Sequence, residues 1–231
     1  MSPAPLTSQV APQLKVSEIF YSIQGESSFA GLPCVFIRLG GCNLRCNYCD
    51  ASYTWEEGEM MDSETILARV DSYPCDLIEV TGGEPLFQES CSHLLQRLLT
   101  AGKRVLLETN GSIDIGPVPE PVTVIVDVKC PDSGSGDSFH TMNVKRIKER
   151  LNRRAGSVEL KFVLSSREDY TWAKDYIENN NLGRVPVILF SPVEQRLAPR
   201  ELAAWLMADG LDVRLQLQLH TRLWPDVSRG V

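Results

Sequence analysis

Three cysteines, Cys42, Cys46 and Cys49, stand together in the run Gly40-Gly41-Cys42-Asn43-Leu44-Arg45-Cys46-Asn47-Tyr48-Cys49-Asp50-Ala51. Their C-x3-C-x2-C spacing allows three thiolates on one short loop to ligate three corners of a [4Fe–4S] cube. The fourth iron then has no protein ligand and is open to a substrate or cofactor, as an open zinc site is. A cluster used only for electron transfer normally takes a fourth cysteine. Read as part of a zinc site, the same cysteines lack a fourth ligand at usable spacing. Downstream, Thr81-Gly82-Gly83-Glu84-Pro85 puts a glycine pair at the end of a predicted strand, where backbone can turn sharply and approach a ligand closely.

These loops need a scaffold. Short apolar runs predict strands over 15–23, Cys34 to Leu39, Leu77 to Val80, Arg104 to Glu108, Val122 to Val128, Val158 to Leu164, Val185 to Phe190 and Val213 to Leu219. Between them, Asp62-Ser63-Glu64 opens a helix to Asp71, and Glu89 to Thr100 carries Leu94, Leu95, Leu98 and Leu99 on one face. Further helices are read over 143–154, from Ser166 (with Asp169 as its capping partner) to Asn179, and over Pro199 to Ala208. Ile113 to Pro121 is interrupted by prolines and has no helix. Asp132 to Asp137, rich in serine and glycine, reads as a mobile loop.

Strands alternating with helices predict an α/β fold with a parallel sheet. About six parallel strands are too few for a complete eightfold barrel, so a partial (β/α) barrel with one crossover helix missing is expected. In such barrels the chemistry gathers where strands end at their C-terminal side. The cysteine loop, the glycine pair, Glu108-Thr109-Asn110 and Lys129 all follow predicted strands. The expected organisation is a flexible tail over 1–14 and a single domain over 15–231, with no internal repeat or linker.

Composition narrows the partners. Of 231 residues, 43% are hydrophobic, enough for a normal core, and Lys and Arg (23) against Asp and Glu (30) leave a net charge of −7. No basic field favours a nucleic acid backbone, so a small molecule or a protein is the expected partner. No apolar run approaches the roughly 20 residues that cross a bilayer, and the first residues lack the basic start and apolar middle of a secretion signal. Seven cysteines with three close together form a poor disulfide framework and imply a reducing compartment, the cytoplasm. Cys34, Cys75 and Cys91 read as small core residues, and Cys130 as mostly structural. Glu108 and Lys161 read as an ion pair near the barrel mouth or as part of the site. His93 reads as solvated and His140 as partnerless, while His220 has the best functional claim of the three. The basic stretch 145–154 reads as a solvated helix face, or as a patch for an acidic electron donor.

The cysteine spacing together with the glycine pair resembles the radical S-adenosylmethionine (SAM) superfamily. A narrower resemblance rests on Glu18-Ile19-Phe20-Tyr21-Ser22-Ile23-Gln24-Gly25-Glu26, Phe36-Ile37-Arg38-Leu39-Gly40-Gly41-Cys42, Glu108-Thr109-Asn110-Gly111-Ser112 and Glu159-Leu160-Lys161-Phe162. The C-terminal Gln216-Leu217-Gln218-Leu219-His220 and Arg229-Gly230-Val231 complete it. Together these resemble the 7-carboxy-7-deazaguanine synthase family. That resemblance implies conversion of 6-carboxy-5,6,7,8-tetrahydropterin to 7-carboxy-7-deazaguanine and ammonia, a lyase step towards queuosine and other 7-deazapurines. It also implies a [4Fe–4S] cluster, SAM that is regenerated rather than consumed, Mg2+, a flavodoxin-type reductant and a homodimer. A glycyl-radical-enzyme activase of the same superfamily and a non-enzymatic iron–sulfur electron carrier are the rival readings.

Carried over residue by residue, the resemblance makes Cys42, Cys46 and Cys49 the cluster ligands. It makes Tyr48, Cys49, Asp50, Gly83 and the segment Asp127-Val128-Lys129 contacts to SAM. Ile23, Gln24, Gly25, Arg38, Thr81 and Pro225 match substrate contacts. Gln24 offers both donor and acceptor to a pterin edge, and the planar fork of Arg38 suits a carboxylate. Three departures stand out. Ala51 replaces the threonine or serine expected to serve Mg2+, leaving Ser52 as the nearest hydroxyl. The substrate turn reads Gly25-Glu26-Ser27 instead of Gly-Glu-Gly, and Asp127-Val128-Lys129 replaces Ser-Pro-Lys.

Overall fold

Strands covered on both faces read as continuous apolar runs, and the runs in this chain form the middle of one sheet. The computed structural model describes residues 12–153 and 157–231. In chain order the strands are β1 (Gln13–Ile23), β2 (Pro33–Leu39), β3 (Glu59–Asp62), β4 (Leu77–Gly82), β5 (Arg104–Thr109), β6 (Thr123–Asp127), β7 (Val158–Leu164), β8 (Ile188–Pro192) and β9 (Arg214–Leu215). Their order in the sheet is β3-β1-β2-β4-β5-β6-β7-β8-β9. β1 runs antiparallel to both β2 and β3, and from β2 onward each neighbouring pair is parallel. The sheet does not close, so the barrel is partial, as expected from the count of strands.

The helices are α1 (Ser63–Asp71), α2 (Cys91–Thr100), α3 (Asn143–Leu151), α4 (Arg167–Asn179), α5 (Pro199–Asp209) and the short α6 (Leu219–Leu223). The apolar faces of α1 to α5 pack with side chains of the sheet into the main core, which includes Ile37, Val80, Leu94, Leu107, Val126 and Phe162. Burying each such side chain contributes about 1.5–3 kcal/mol. Caps match the sequence reading: Asp62 accepts from the Thr65 amide at 2.8 Å, and Ser166 Oγ from the Asp169 amide at 3.2 Å. The second cap is not reciprocal, because Asp169 accepts instead from the Ser165 and Asp132 amides.

β5 passes to β6 without a helix. α3 takes over its hydrogen bonding. Asn143, Arg146 and Arg150 lie three and four residues apart, hence on one face. Asn143 Nδ2 donates to the Gly111 and Ile113 carbonyls, Arg146 binds Asp114, and Arg150 donates to the carbonyls of Val118, Pro119, Glu120 and Val122.

Several expectations are corrected. The strand begins at Gln13, and Leu14, assigned to the flexible tail, is fully buried; residues 1–11 of that tail lie outside the described residues. β3 was not read at all, its four residues being too few for a period. The last strand is only Arg214–Leu215, because Gln216 and Gln218 turn their side chains to another segment. Asp132 to Asp137 is tied down: the Ser133 carbonyl accepts from the Asn47 amide at 2.9 Å. The basic helix is not wholly a solvated face, since Arg150 is buried; Arg154 lies outside the described residues.

Inside the curve of the sheet, Phe20, Phe29, Cys34, Phe36, Leu77, Leu106 and Ile125 make an apolar floor. Phe20 and Phe36 stack at 4.9 Å between ring centroids. Buried Glu79 and Glu159 lie on the strands themselves and bond to the 24–28 turn, while Glu108, Asp127 and Lys161 stand towards the C-terminal ends of theirs.

Candidate active site

Above that floor the strand ends open into a cavity lined by Cys42, Cys46, Cys49 and Gly83 together with Arg38, Glu26, Glu108 and Lys161. The cysteine loop leaves β2 and is seated by the glycine pair at the end of β4. A Cβ on Gly83 would lie 2.1 Å from the Gly41 carbonyl oxygen, and one on Gly82 would lie 2.2 Å from that of Leu39. Gly82 also has φ +144°, which favours glycine. The Glu84 amide donates to the Gly41 carbonyl at 2.9 Å. The glycines thus admit the cysteine loop itself to the sheet, and only Gly83 of the contacts proposed there also faces the cavity.

All seven cysteines are free thiols. Burial pushes the Cys42 and Cys49 thiols up, so a bound cation is needed to hold them as thiolates. Cys42 Sγ accepts from the Leu44 amide at 3.4 Å and lies 3.8 Å from Asn110 Nδ2. Such N–H donors suit a ligating sulfur. Among the described residues no three His, Cys, Asp or Glu side chains converge as a single metal ion requires. The three thiols line one cavity, as ligands to three corners of an iron–sulfur cube would.

Glu84 is fully buried and ties the ends of β4 and β5 together. It accepts from the Asn110 amide at 2.7 Å, Thr109 Oγ1 at 2.8 Å and the Leu86 amide at 2.9 Å. Burial lifts its pKa to about 7 against those three bonds. In the same cavity, Lys161 Nζ lies 2.7 Å from Glu108 Oε1, in contact with Glu26 Oε2, and 3.9 Å from Asp127 Oδ2. Lys129 Nζ pairs with Asp127 Oδ2 at 2.7 Å. Burial opposes the charge on both lysines, but the carboxylates outweigh it and raise their pKa. Asp127 Oδ1 is buried with no hydrogen-bond partner.

The pattern of the Radical SAM superfamily matches residues 36–162, more than half of the chain. The 7-carboxy-7-deazaguanine synthase of Koribacter versatilis is 42% identical, covering 94% of this chain and 100% of its own. That of Chlorobaculum tepidum is 44% identical, covering 94% of this chain and 97% of its own. The chain belongs to the 7-carboxy-7-deazaguanine synthase family. Its fold is shared with the crystal structure of QueE from Escherichia coli, at a TM-score of 0.72 and 24% identity over 89% of this chain and 94% of that one. Membership of the family implies a [4Fe–4S] cluster and SAM, which the three thiols, the donors to Cys42 and the orphaned Asp127 Oδ1 fit.

Two of the segments on which the resemblance rests, the turn over 23–26 and the C-terminal run over 216–220, meet in space. Gln216 Oε1 accepts from the Ser27 amide at 2.6 Å, Gln218 Nε2 donates to Glu26 Oε1 at 2.8 Å, and the Leu219 amide donates to the Gly25 carbonyl at 3.0 Å. Ser27 takes φ +64°, a conformation that favours glycine, and is held there by Gln216.

Of the residues picked from sequence, Arg38, Cys42, Cys46, Tyr48, Cys49, Asp50, Ala51, Gly83, Asp127 and Lys129 line the cavity. Others do not reach it. Gln24 is buried and spends its carboxamide inside the protein, donating to Glu79 Oε2 and accepting from the Glu26 amide. Gly25 packs against His220, where a Cβ would meet Nδ1 at 2.9 Å. Ile23 lies by Trp224 in a separate surface hollow, and Pro225 is exposed. Thr81 is buried beside Arg38 in register, while the Val128 side chain belongs to the outer core. His220 Nε2 stands 3.9 Å from Asp50, and His93 Nδ1 lies 3.3 Å from Ser63 Oγ. Cavity-lining residues not picked from sequence include Asn110, Gln195 and Thr221; of these only Asn110 carried a signal, its place after a strand.

The segment after Cys49 does not fit the implied Mg2+. Ala51 presents a methyl group to the cavity, and Ser52 is exposed at the start of a 3-10 turn. Thr54 Oγ1, the next hydroxyl, is buried and donates to the Ala51 carbonyl at 2.7 Å.

Proposed function

We propose that this chain converts 6-carboxy-5,6,7,8-tetrahydropterin into 7-carboxy-7-deazaguanine with loss of ammonia, as a radical SAM lyase in 7-deazapurine (queuosine) biosynthesis. The observation that carries the reading is a single cavity lined both by three thiols and by a carboxylate-and-cation set, in a chain 42% identical to a synthase over 94% of this chain. When bound, the cluster and SAM supply the removal of a hydrogen atom that acid–base chemistry does not reach.

The chain's own residues bind, orient and shield. Cys42, Cys46 and Cys49 hold the cluster. Tyr48, whose hydroxyl donates to the Val163 carbonyl at 3.1 Å, presents its ring to the SAM side, with Asp50, Gly83 and Lys129 around it. Asp127 Oδ1 is the acceptor left for a ligand hydroxyl or amine. Arg38 binds the substrate carboxylate with its terminal nitrogens, and Glu26, Glu108 and Lys161 face the pterin ring, whose polar edge needs both donors and acceptors. The apolar floor excludes water from below.

The reading extends to a single domain over 15–231, a homodimer, a flavodoxin-type electron donor and a cytoplasmic setting. Exposed Tyr21, Leu32, Leu223 and Val227 near β1 and the C-terminal segment support pairing with a second copy. Exposed Arg45, beside the cysteines, supports docking of an acidic donor. No helix among the described residues is long and apolar enough to cross a membrane.

The test is anaerobic turnover of reconstituted protein with a reductant, SAM and the carboxypterin. Formation of 7-carboxy-7-deazaguanine with SAM left at its starting level supports the reading. SAM consumed without a deazaguanine rejects it.

A further inference from the structure

Arg38 stands on β2 opposite Glu18 of β1 in the antiparallel register. Its Nε donates to Glu18 Oε1 at 2.8 Å, with both side chains mostly buried. The same oxygen accepts from the Tyr53 hydroxyl at 2.6 Å, and Glu18 Oε2 accepts from the Gly230 amide at 3.1 Å. The segment carrying Gly230 is itself fastened. Arg229 pairs with Glu57 at 2.8 Å and lies over the Tyr53 ring at 4.2 Å. Among the described residues, Nε is the only Arg38 nitrogen with a protein acceptor. Arg38 lines the cavity while Glu18 does not.

A guanidinium held at Nε has lost its rotation about the last bonds, and its two terminal nitrogens then point one way. That fork matches a carboxylate in bidentate fashion. A loose arginine at the same place would retain its rotamer entropy and give part of it up on binding.

We propose that Glu18 is the positioning residue for Arg38, taking up its Nε so that the terminal fork alone is presented to the carboxylate of the substrate. Tyr53 and the Gly230 amide fix Glu18 in turn. The inference rests on the reading of Arg38 as the carboxylate site, and it deepens that reading by naming what aims the arginine. Nothing in the cysteine loop or at Lys161 depends on it.

The experiment measures binding of the carboxypterin to the reconstituted holoenzyme by calorimetry, and KM and kcat by turnover, for wild type, Glu18→Gln, Arg38→Ala and the double variant. Glutamine keeps the shape of the side chain but not its charge. Glu18→Gln is expected to weaken binding about tenfold and to raise KM accordingly, with a much smaller fall in kcat. In the Arg38→Ala background the same change is expected to do nothing further, because Glu18 acts only through Arg38. A tetrahydropterin lacking the carboxylate should bind wild type and Glu18→Gln alike. Glu18→Asp, which keeps the charge on a shorter arm, is expected to show the same split and guards against a glutamine variant that fails to fold. Equal losses in both backgrounds, or no loss in either, would overturn the role of Glu18. If Arg38→Ala itself bound the carboxypterin as wild type does, the carboxylate site would be misplaced and the proposal would fall with it.

Discussion

Lys161 Nζ stands 2.7 Å from Glu108 Oε1, one strand away from it across β6, at the centre of the cavity. One buried ammonium here balances the carboxylates of Glu26, of Glu108 on β5 and of Asp127 on β6. Without it, Glu26 and Glu108 would lose their direct cationic partner in a low-dielectric space.

Lys161→Met is therefore expected to destabilise the fold by about 3 kcal/mol or more, because removing one partner of a buried pair strands the others. It should also weaken substrate binding. Urea unfolding gives the first number and calorimetry the second; a midpoint equal to wild type would remove the lysine from this role.

Arg150 tests the helixless connection. Its guanidinium donates to the carbonyls of Val118, Pro119, Glu120 and Val122, the last at 2.6 Å. Among the described residues no carboxylate pairs with it, and burial lowers its pKa. Arg150→Met keeps the stem and removes the donors. Each buried acceptor left unmade costs about 1–3 kcal/mol, so a fall in stability of several kcal/mol is expected, with cluster content unchanged in the protein that remains folded. A loss under about 0.5 kcal/mol, the range of ordinary surface substitutions, would show that water satisfies those carbonyls.

The two buried glutamates set a pH dependence. Burial, then Glu108 and Glu26, push Glu79 well above the ordinary carboxylate range, and burial lifts Glu84 to about 7. The folded chain thus holds protons that the unfolded chain releases near pH 4.5. Their stabilising contribution is full below the unfolded value. It falls as pH rises from about 4.5 through about 7 for Glu84, and further for Glu79. Urea midpoints should accordingly be higher at about pH 5.5 than at about pH 8. Glu79→Gln, neutral at both, should flatten the slope; a slope that is unchanged or reversed in wild type would contradict the assignment.

Ala51 bears on the metal. With no hydroxyl turned to the cavity at Ala51, Ser52 or Thr54, added Mg2+ is expected to change turnover by less than about twofold, since Mg2+ depends on oxygen ligands. Ala51→Thr should introduce a Mg2+ response. Strong Mg2+ stimulation of the wild type would mean that ligand oxygens from elsewhere serve the ion.

Much of this was legible in the chain because period and punctuation act locally. β2, β4 to β7, the caps at Asp62 and Ser166, and the missing helix at Ile113 to Pro121 each depend on neighbours in sequence. Side-chain direction at a turn does not. Gln24 looked like a ligand-facing amide, but its partner Glu79 lies 55 residues away and faces the same interior. Arg150 looked like part of a basic surface, and only the fold brings it to unsatisfied carbonyls. β3 and the tie between Gln216 and Ser27 are likewise products of distant pairing. Pro225 was placed by motif, and in the structure it is exposed in the C-terminal tail.

The most direct measurement is the electron paramagnetic resonance spectrum of the reduced, reconstituted protein before and after SAM is added. Three cysteines on this loop leave one iron free, so the spectrum is expected to shift on addition of SAM, and Cys46→Ala is expected to show no cluster. A cluster signal indifferent to SAM would contradict an open iron facing this cavity.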